Sequence, residues 1–181
     1  MKLNIIVVGK NKDDFVTLAE TEYLKRLQPF ISVNLIVIHS NKINPKIEID
    51  KIKNLESEKI LKRIPNNSFS IALDEKGKEY NSIGFANYFN QLLQLHSKSV
   101  YFIIGGPYGL SDKVKEHCRE VISLSKMTFT HQMVRIILLE QIYRAMTIIK
   151  GKKSLLKCLS GKQNNWVVLK RVIPIGWKEK L

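Results

Sequence analysis

The chain has 181 residues, enough for one domain with a substantial core, and its 44% hydrophobic and 25% charged residues are ordinary for a globular protein. Its net charge of +14 is not ordinary, and it argues for a polyanionic partner, nucleic acid before membrane, because lysine and arginine release counterions from phosphates. No apolar run approaches the length that spans a bilayer, and Cys118 and Cys158 lack zinc-type ligand spacing apart from the adjacent His117, which disfavours both a membrane protein and a metal site.

Residues 3–8 (Leu-Asn-Ile-Ile-Val-Val) form a short apolar run ending in Gly9, the pattern of a buried parallel strand. Asp13 and Asp14 then open a helix in which Phe15, Leu18, Ala19, Leu24 and Leu27 are expected to form the apolar stripe, and Pro29 ends it. Residues 31–38 read as a second strand and residues 41–45 as a turn. From 47 to 64 apolar residues recur at helical spacing among Lys and Glu until Pro65. Residues 69–73 predict a third strand, and Asp74-Glu75-Lys76-Gly77 a tight turn after it. Ser82 is expected to cap a helix over 83–95 that buries Phe85, Phe89, Leu92 and Leu93.

Residues 100–104 predict a fourth strand, followed by Gly105-Gly106-Pro107-Tyr108-Gly109. Ser111 and Asp112 cap a helix through Cys118, and residues 121–124 make a brief fifth strand. A hydroxyl-rich loop then runs straight into the most apolar segment of the chain, residues 136–149. The alternation implies a parallel sheet with helices on both faces. The chain opens directly on a strand with no leader-like segment, so reduced thiols and a cytoplasmic location are expected.

In open sheets of this class ligands settle at the carboxyl ends of the strands, and three loops leave such ends here, after Leu73, Ile104 and Leu124. Gly105 and Gly106 are expected to let backbone approach a ligand closely. Gly-Gly-Pro-x-Gly is neither the dinucleotide fingerprint nor a phosphate-binding P-loop, which leaves a nicotinamide or ATP site without support and an adenine-bearing cofactor open. In the last loop, Ser123, Ser125, Thr128 and Thr130 sit beside the free N–H groups of a helix start, with His131 and Arg135 one turn apart. That junction suits an anionic or carbonyl-bearing ligand, and equally a simply capped core helix.

Four segments occur in one order and spacing: 73–78 (Leu-Asp-Glu-Lys-Gly-Lys), 104–110 (Ile-Gly-Gly-Pro-Tyr-Gly-Leu), 123–135 (Ser-Leu-Ser-Lys-Met-Thr-Phe-Thr-His-Gln-Met-Val-Arg) and 140–145 (Glu-Gln-Ile-Tyr-Arg-Ala). Together they closely resemble the RlmH family, SPOUT-class methyltransferases that act on N3 of a pseudouridine in large-subunit (23S) ribosomal RNA of assembled ribosomes. The resemblance spans residues 1–150 and implies an α/β, SPOUT-type parallel sheet flanked by helices with a C-terminal trefoil knot. It implies a homodimer whose interface includes the last helix, one protomer holding the cofactor while its partner supplies part of the RNA surface. It also implies S-adenosylmethionine held by the three loops, through Leu73, Gly105 and the run Leu124, Ser125, Lys126, Met127, Thr128 and Phe129. Thr130 stands where family members often have proline.

An imide N–H must lose its proton before its nitrogen becomes a nucleophile, so a base or a cationic stabiliser is useful. His131 is the candidate base, or else a helix-start ligand or packing residue. Arg135 and Arg144 are candidates for stabilising the imide anion or holding RNA phosphate, and Tyr143 for stacking on a base or packing in the dimer interface. His39, His96 and His117 end elements and read as structural.

Residues 151–181 form a separate, atypical tail that holds eight lysines and arginines against the single Glu179. Members of the resembled family end in a Tyr-His element here, whereas this chain runs through Ser154-Leu155-Leu156-Lys157 with no Tyr or His afterwards. The codons TAT-CAT-TAT-TAA read two bases later give Ser-Leu-Leu, which makes the tail either a frameshift product or a basic extension. The second functional expectation follows: a SPOUT-fold RNA or ribosome binder whose catalysis is impaired by loss of that ending.

Overall fold

The structure, a computed structural model, describes residues 2–11, 13–39, 49–95 and 99–151. The turn expected at 41–45, the first two residues of the helix expected from 47, His96 and the tail from 152 onward lie outside the described residues. Five strands, β1 (Lys2–Val8), β2 (Val33–Ile38), β3 (Phe69–Glu79), β4 (Ser99–Ile104) and β5 (Glu120–Ser123), alternate with five helices. The helices are α1 (Asp14–Leu27), α2 (Ile49–Leu61), α3 (Ser82–Leu95), α4 (Asp112–His117) and α5 (His131–Ile149). The strands form one sheet, parallel in every pairing, in the order β2-β1-β4-β3-β5.

Period-two alternation divides the buried side chains between two cores. Leu3, Ile5 and Val7 of β1 and Val100, Phe102 and Ile104 of β4 face α1, α3 and α5. Ile6, Val8, Tyr101 and Ile103 point the other way, onto Ile60 of α2 and Val114 of α4. The interior of α5 is the largest helical share of the first core: Leu138, Leu139, Ile142, Ala145 and Met146 are all buried. Each large side chain buried in this way contributes about 1.5–3 kcal/mol relative to exposure. No helix among the described residues is long and apolar enough to cross a membrane.

Three local expectations are corrected. Of the expected α1 stripe, Leu27 is buried and Ala19 and Leu24 pack against the core, but Phe15 and Leu18 are 61% and 66% exposed and Val16 and Tyr23 are buried in their stead. The helical period permitted either set, and the neighbouring α5 selected the face that carries Tyr23. Ser82 is the first helical residue of α3 and not its cap; Asn81 Oδ1 accepts from Gly84 N at 2.7 Å. The turn expected at 74–77 lies inside β3, because the ladder places both Leu73 and Lys78 opposite Ile122 of β5. The ladder therefore shifts register between Leu73 and Lys78, with residues 74–77 forming an irregular stretch of β3 against β5. Gly77 makes this stretch possible: a Cβ there would come within 2.5 Å of the Ile122 carbonyl carbon.

Candidate functional site

Residues 73–76 inside β3 and the loops after β4 and β5 meet around one cleft of about 530 Å³. The first contributes Leu73, Asp74, Glu75 and Lys76, the second residues 104–110, and the third Ser123, Leu124, Ser125, Met127, Thr128, Phe129 and Thr130. His131 and Val134 from the start of α5 complete the wall, with Lys53 of α2 and Lys115 of α4 at the rim. The loops after β4 and β5 leave the carboxyl ends of parallel strands, which places both at one edge of the sheet, beside the 73–76 segment of β3.

The β4 loop is folded back on itself by a bridge between Gly106 and Gly109. A Cβ on Gly105 would lie 2.6 Å from the Gly109 carbonyl carbon, so glycine is needed for the loop's own closure. Gly106 is backed by Glu56 of α2, whose carboxylate oxygens lie 3.0 and 3.2 Å from where its Cβ would be. Both glycines line the cleft, and the space a side chain would take on either is occupied by the protein itself. Burial of the Glu56 carboxyl raises its pKa, against a smaller opposing effect of Lys59.

The β5 loop is braced from within. Ser123 Oγ donates to the Ser125 carbonyl at 2.8 Å and accepts from Ser125 N, and Ser125 Oγ accepts from Met127 N at 3.0 Å. Thr130 caps α5, its hydroxyl accepting from Met133 N at 3.3 Å. Those hydroxyls therefore set the loop's shape and the helix start. Met127 and Phe129 are left 72% and 42% exposed, unusual for large apolar side chains at the mouth of a cleft. At the other side Lys115 Nζ lies 3.4 Å from Asp74 Oδ2 and 2.8 Å from Asp112 Oδ1, tying the 73–76 segment of β3 to α4.

Of the residues singled out from sequence, Leu73, Gly105, Leu124, Ser125, Met127, Thr128, Phe129 and His131 come together in the cleft. Lys126 is exposed beside it and is not part of the wall. Burial, followed by the charge of Arg135, lowers the His131 pKa, so the imidazole is held neutral and able to accept a proton.

Arg135 and Arg144 do not line the cleft. Arg135 is 2% exposed. Its Nη1 donates to Asn11 Oδ1 at 2.7 Å and its Nη2 to the Val8 and Gly9 carbonyls, clamping the end of β1 to α5. Asn11 passes the interaction on, donating from Nδ2 to Glu20 Oε2 at 2.9 Å. No local signal announces this contact, since 124 residues separate Asn11 from Arg135. Arg144 pairs with Glu140 one turn back on the same helix. Tyr143 packs edge-on against Tyr23 and Phe30, at 6.3 and 6.2 Å between ring centroids. Among the described residues no group of three or more His, Cys, Asp or Glu is placed to hold a metal ion.

Residues 1–153 match a family model described as predicted SPOUT methyltransferase. The chain is 46% identical over 155 residues to the ribosomal RNA large subunit methyltransferase H of Halothermothrix orenii, covering 84% of this chain and 98% of that protein. It is 42% identical over 151 residues to the protein of the same name from Bacteroides thetaiotaomicron, covering 83% and 96%. The Porphyromonas gingivalis protein of that name is 38% identical over 149 residues, covering 82% and 95%.

Proposed function

Because the chain belongs to the RlmH family of SPOUT methyltransferases, we propose that it methylates large-subunit ribosomal RNA, at N3 of a pseudouridine in the assembled ribosome, using S-adenosylmethionine. The observation that carries the reading is the convergence of residues 73–76 of β3, the loops after β4 and β5, and His131 on one cleft. The cleft fits that donor. Its volume is in the range of small-molecule sites, Leu73, Ile104, Leu124 and Met127 offer apolar walls to a base, and Asp74 and Glu75 offer carboxylates to a cation.

Bound there, S-adenosylmethionine supplies a methyl group already activated on a sulfonium centre. The chain's own work is alignment and one proton. The braced loop at 123–130 fixes the wall against which the nucleotide is positioned. His131 takes the N3 proton of the imide, and its lowered pKa keeps it in the basic form at neutral pH. Lys53 and Lys76 place positive charge at the rim, where RNA phosphates approach. Arg135 holds the helix that carries His131 and does not act on the nucleotide directly. The pairing of Ile122 with both Leu73 and Lys78 supports the trefoil knot as part of this reading. Exposed Phe15 and Leu18 on α1, which packs against α5, support a homodimer formed through that pair of helices. Residues 1–150 form the methyltransferase unit and residues 151–181 the appended tail, in a cytoplasmic protein.

A second reading has one observation in its favour. The family match stops at residue 153, and the tail beyond it lacks the Tyr-His ending. On that reading the chain binds donor and ribosome without transferring the methyl group. Methyl transfer from labelled S-adenosylmethionine to ribosomes lacking the family's modification, with mapping of the labelled nucleotide, separates the two. Label on one pseudouridine of large-subunit RNA establishes the enzyme; donor binding without label establishes the binder.

A further inference from the structure

A second cavity of about 500 Å³ lies outside the cleft, between α3 and β5. The irregular segment of β3 separates the two: Asp74, Glu75 and Lys76 line the cleft, while Lys78 and Tyr80 line the outer cavity. β5 is shared in the same manner, with Ser123 facing the cleft and Glu120 and Val121 the outer cavity. Two residues of extended chain span roughly 7 Å, so the cavities are one short step apart for a polynucleotide.

The chemistry of the outer cavity is that of a nucleotide subsite. Tyr80 and Tyr88, which stack on each other at 4.9 Å with 22° between their planes, give it an aromatic side. The Lys78 ammonium sits 5.0 Å from the Tyr80 ring centroid. Asn87 and Gln91, one turn apart on α3, are exposed carboxamides that line it and offer both donors and acceptors. The Tyr88 hydroxyl is buried beside Glu120. Glu120 also speaks against a bare phosphate site, since a carboxylate repels an anion and accepts from the N–H edge of a base.

We propose that this cavity is a second RNA subsite, taking an unpaired nucleotide near the one that enters the cleft, with the base beside the Tyr80–Tyr88 pair and its edge read by Asn87, Gln91 and Glu120. Lys78 meets the adjoining phosphate. The chain's net charge of +14 favours an RNA over a peptide as occupant, and stacking on aromatic side chains is how single-stranded RNA is commonly held. The inference rests on ribosomal RNA being the substrate.

The test uses the full chain and the triple variant Lys78→Ala/Asn87→Ala/Gln91→Ala, all at exposed positions. Binding to ribosomes lacking the family's modification is measured by fluorescence anisotropy at fixed salt, alongside methyl transfer and donor affinity. The triple variant is expected to bind about tenfold more weakly, with kcat at saturating ribosome and donor affinity within about twofold of the wild type. Lys62→Ala, an exposed charge on the far side of α2, controls for bulk electrostatics and is expected to change binding less than twofold. Unchanged binding by the triple variant overturns the subsite, as does an equal loss in Lys62→Ala. A wild type that binds through this cavity but transfers no methyl group overturns the enzymatic reading instead, and leaves the subsite standing.

Discussion

Arg135→Met is the most informative single change, because it distinguishes a clamp from a catalytic cation. The guanidinium is buried and gives hydrogen bonds to Asn11 Oδ1 and to the Val8 and Gly9 carbonyls. Methionine fills most of the volume but donates nothing, leaving two carbonyls and an amide oxygen short of partners in a buried place. Each charge-assisted hydrogen bond is worth about 1.5–3 kcal/mol, while returning the guanidinium to water refunds part of the sum. A net loss of about 3 kcal/mol follows, at the lower end of what breaking a buried charged contact costs. With a urea slope of about 2 kcal/mol per molar, the unfolding midpoint falls by about 1.5 M. Arg135→Lys keeps one or two of the bonds and should fall between. Urea unfolding followed by circular dichroism checks this, with donor affinity measured by calorimetry on the folded variant. A variant that unfolds within 0.5 M of the wild type yet loses methyl transfer would refute the clamp and return Arg135 to the chemistry.

Three further outcomes are expected. Gly105→Ala forces the β4 loop apart, since its Cβ meets the Gly109 carbonyl carbon at 2.6 Å; the stability loss should be about 1–3 kcal/mol and donor affinity by calorimetry should fall at least tenfold. His131→Asn should lower kcat by about 10²–10⁴-fold with little change in donor affinity. The wild-type rate should fall only below about pH 6.5, because burial and Arg135 lower the His131 pKa, and this acid limb should vanish in the variant. The same shift makes the His131 contribution to stability complete above the unfolded pKa and lost as pH falls through the folded one, which urea midpoints between pH 5 and 7 would show. Burial pushes the Cys118 thiol up to about 11, so only about a thousandth is thiolate at pH 8. In a Cys158→Ser background, maleimide labelling should be slow until urea unfolds the chain; rapid labelling of the native protein would contradict the burial.

Legibility varied with the range of the interaction. Strands β1 and β4 were plain because a strand buried on both faces must be apolar throughout, and residues 3–8 and 100–104 are nearly so. α1 was legible as a helix but not in its orientation: an apolar stripe containing Phe15 and Leu18 satisfies helical spacing as well as one containing Val16, Tyr23 and Leu27. β3 was read as stopping at Leu73 because Asp-Glu-Lys-Gly has the composition of a turn, and only its second pairing with Ile122 extends it to Glu79.

The cleft shows the same division. Sequence alone singled out the three segments that meet in the cleft, since order along the chain and the parallel arrangement bring them to one edge of the sheet, although the first of them is strand and not loop. It also determined the start of α5, because Thr130 caps through a bond three residues long. Tertiary structure decided what each polar side chain does there. Arg135 and His131 lie one helical turn apart, yet one is buried against Val8, Gly9 and Asn11 while the other faces the cleft. It likewise decided that Gly105 is bare for Gly109, and that Tyr80 and Tyr88 wall a second cavity. Periodicity and capping act over a few residues and are written locally. The direction of a side chain on a helix, and the neighbour it finds, depend on packing partners far away in sequence, and no local pattern encodes them.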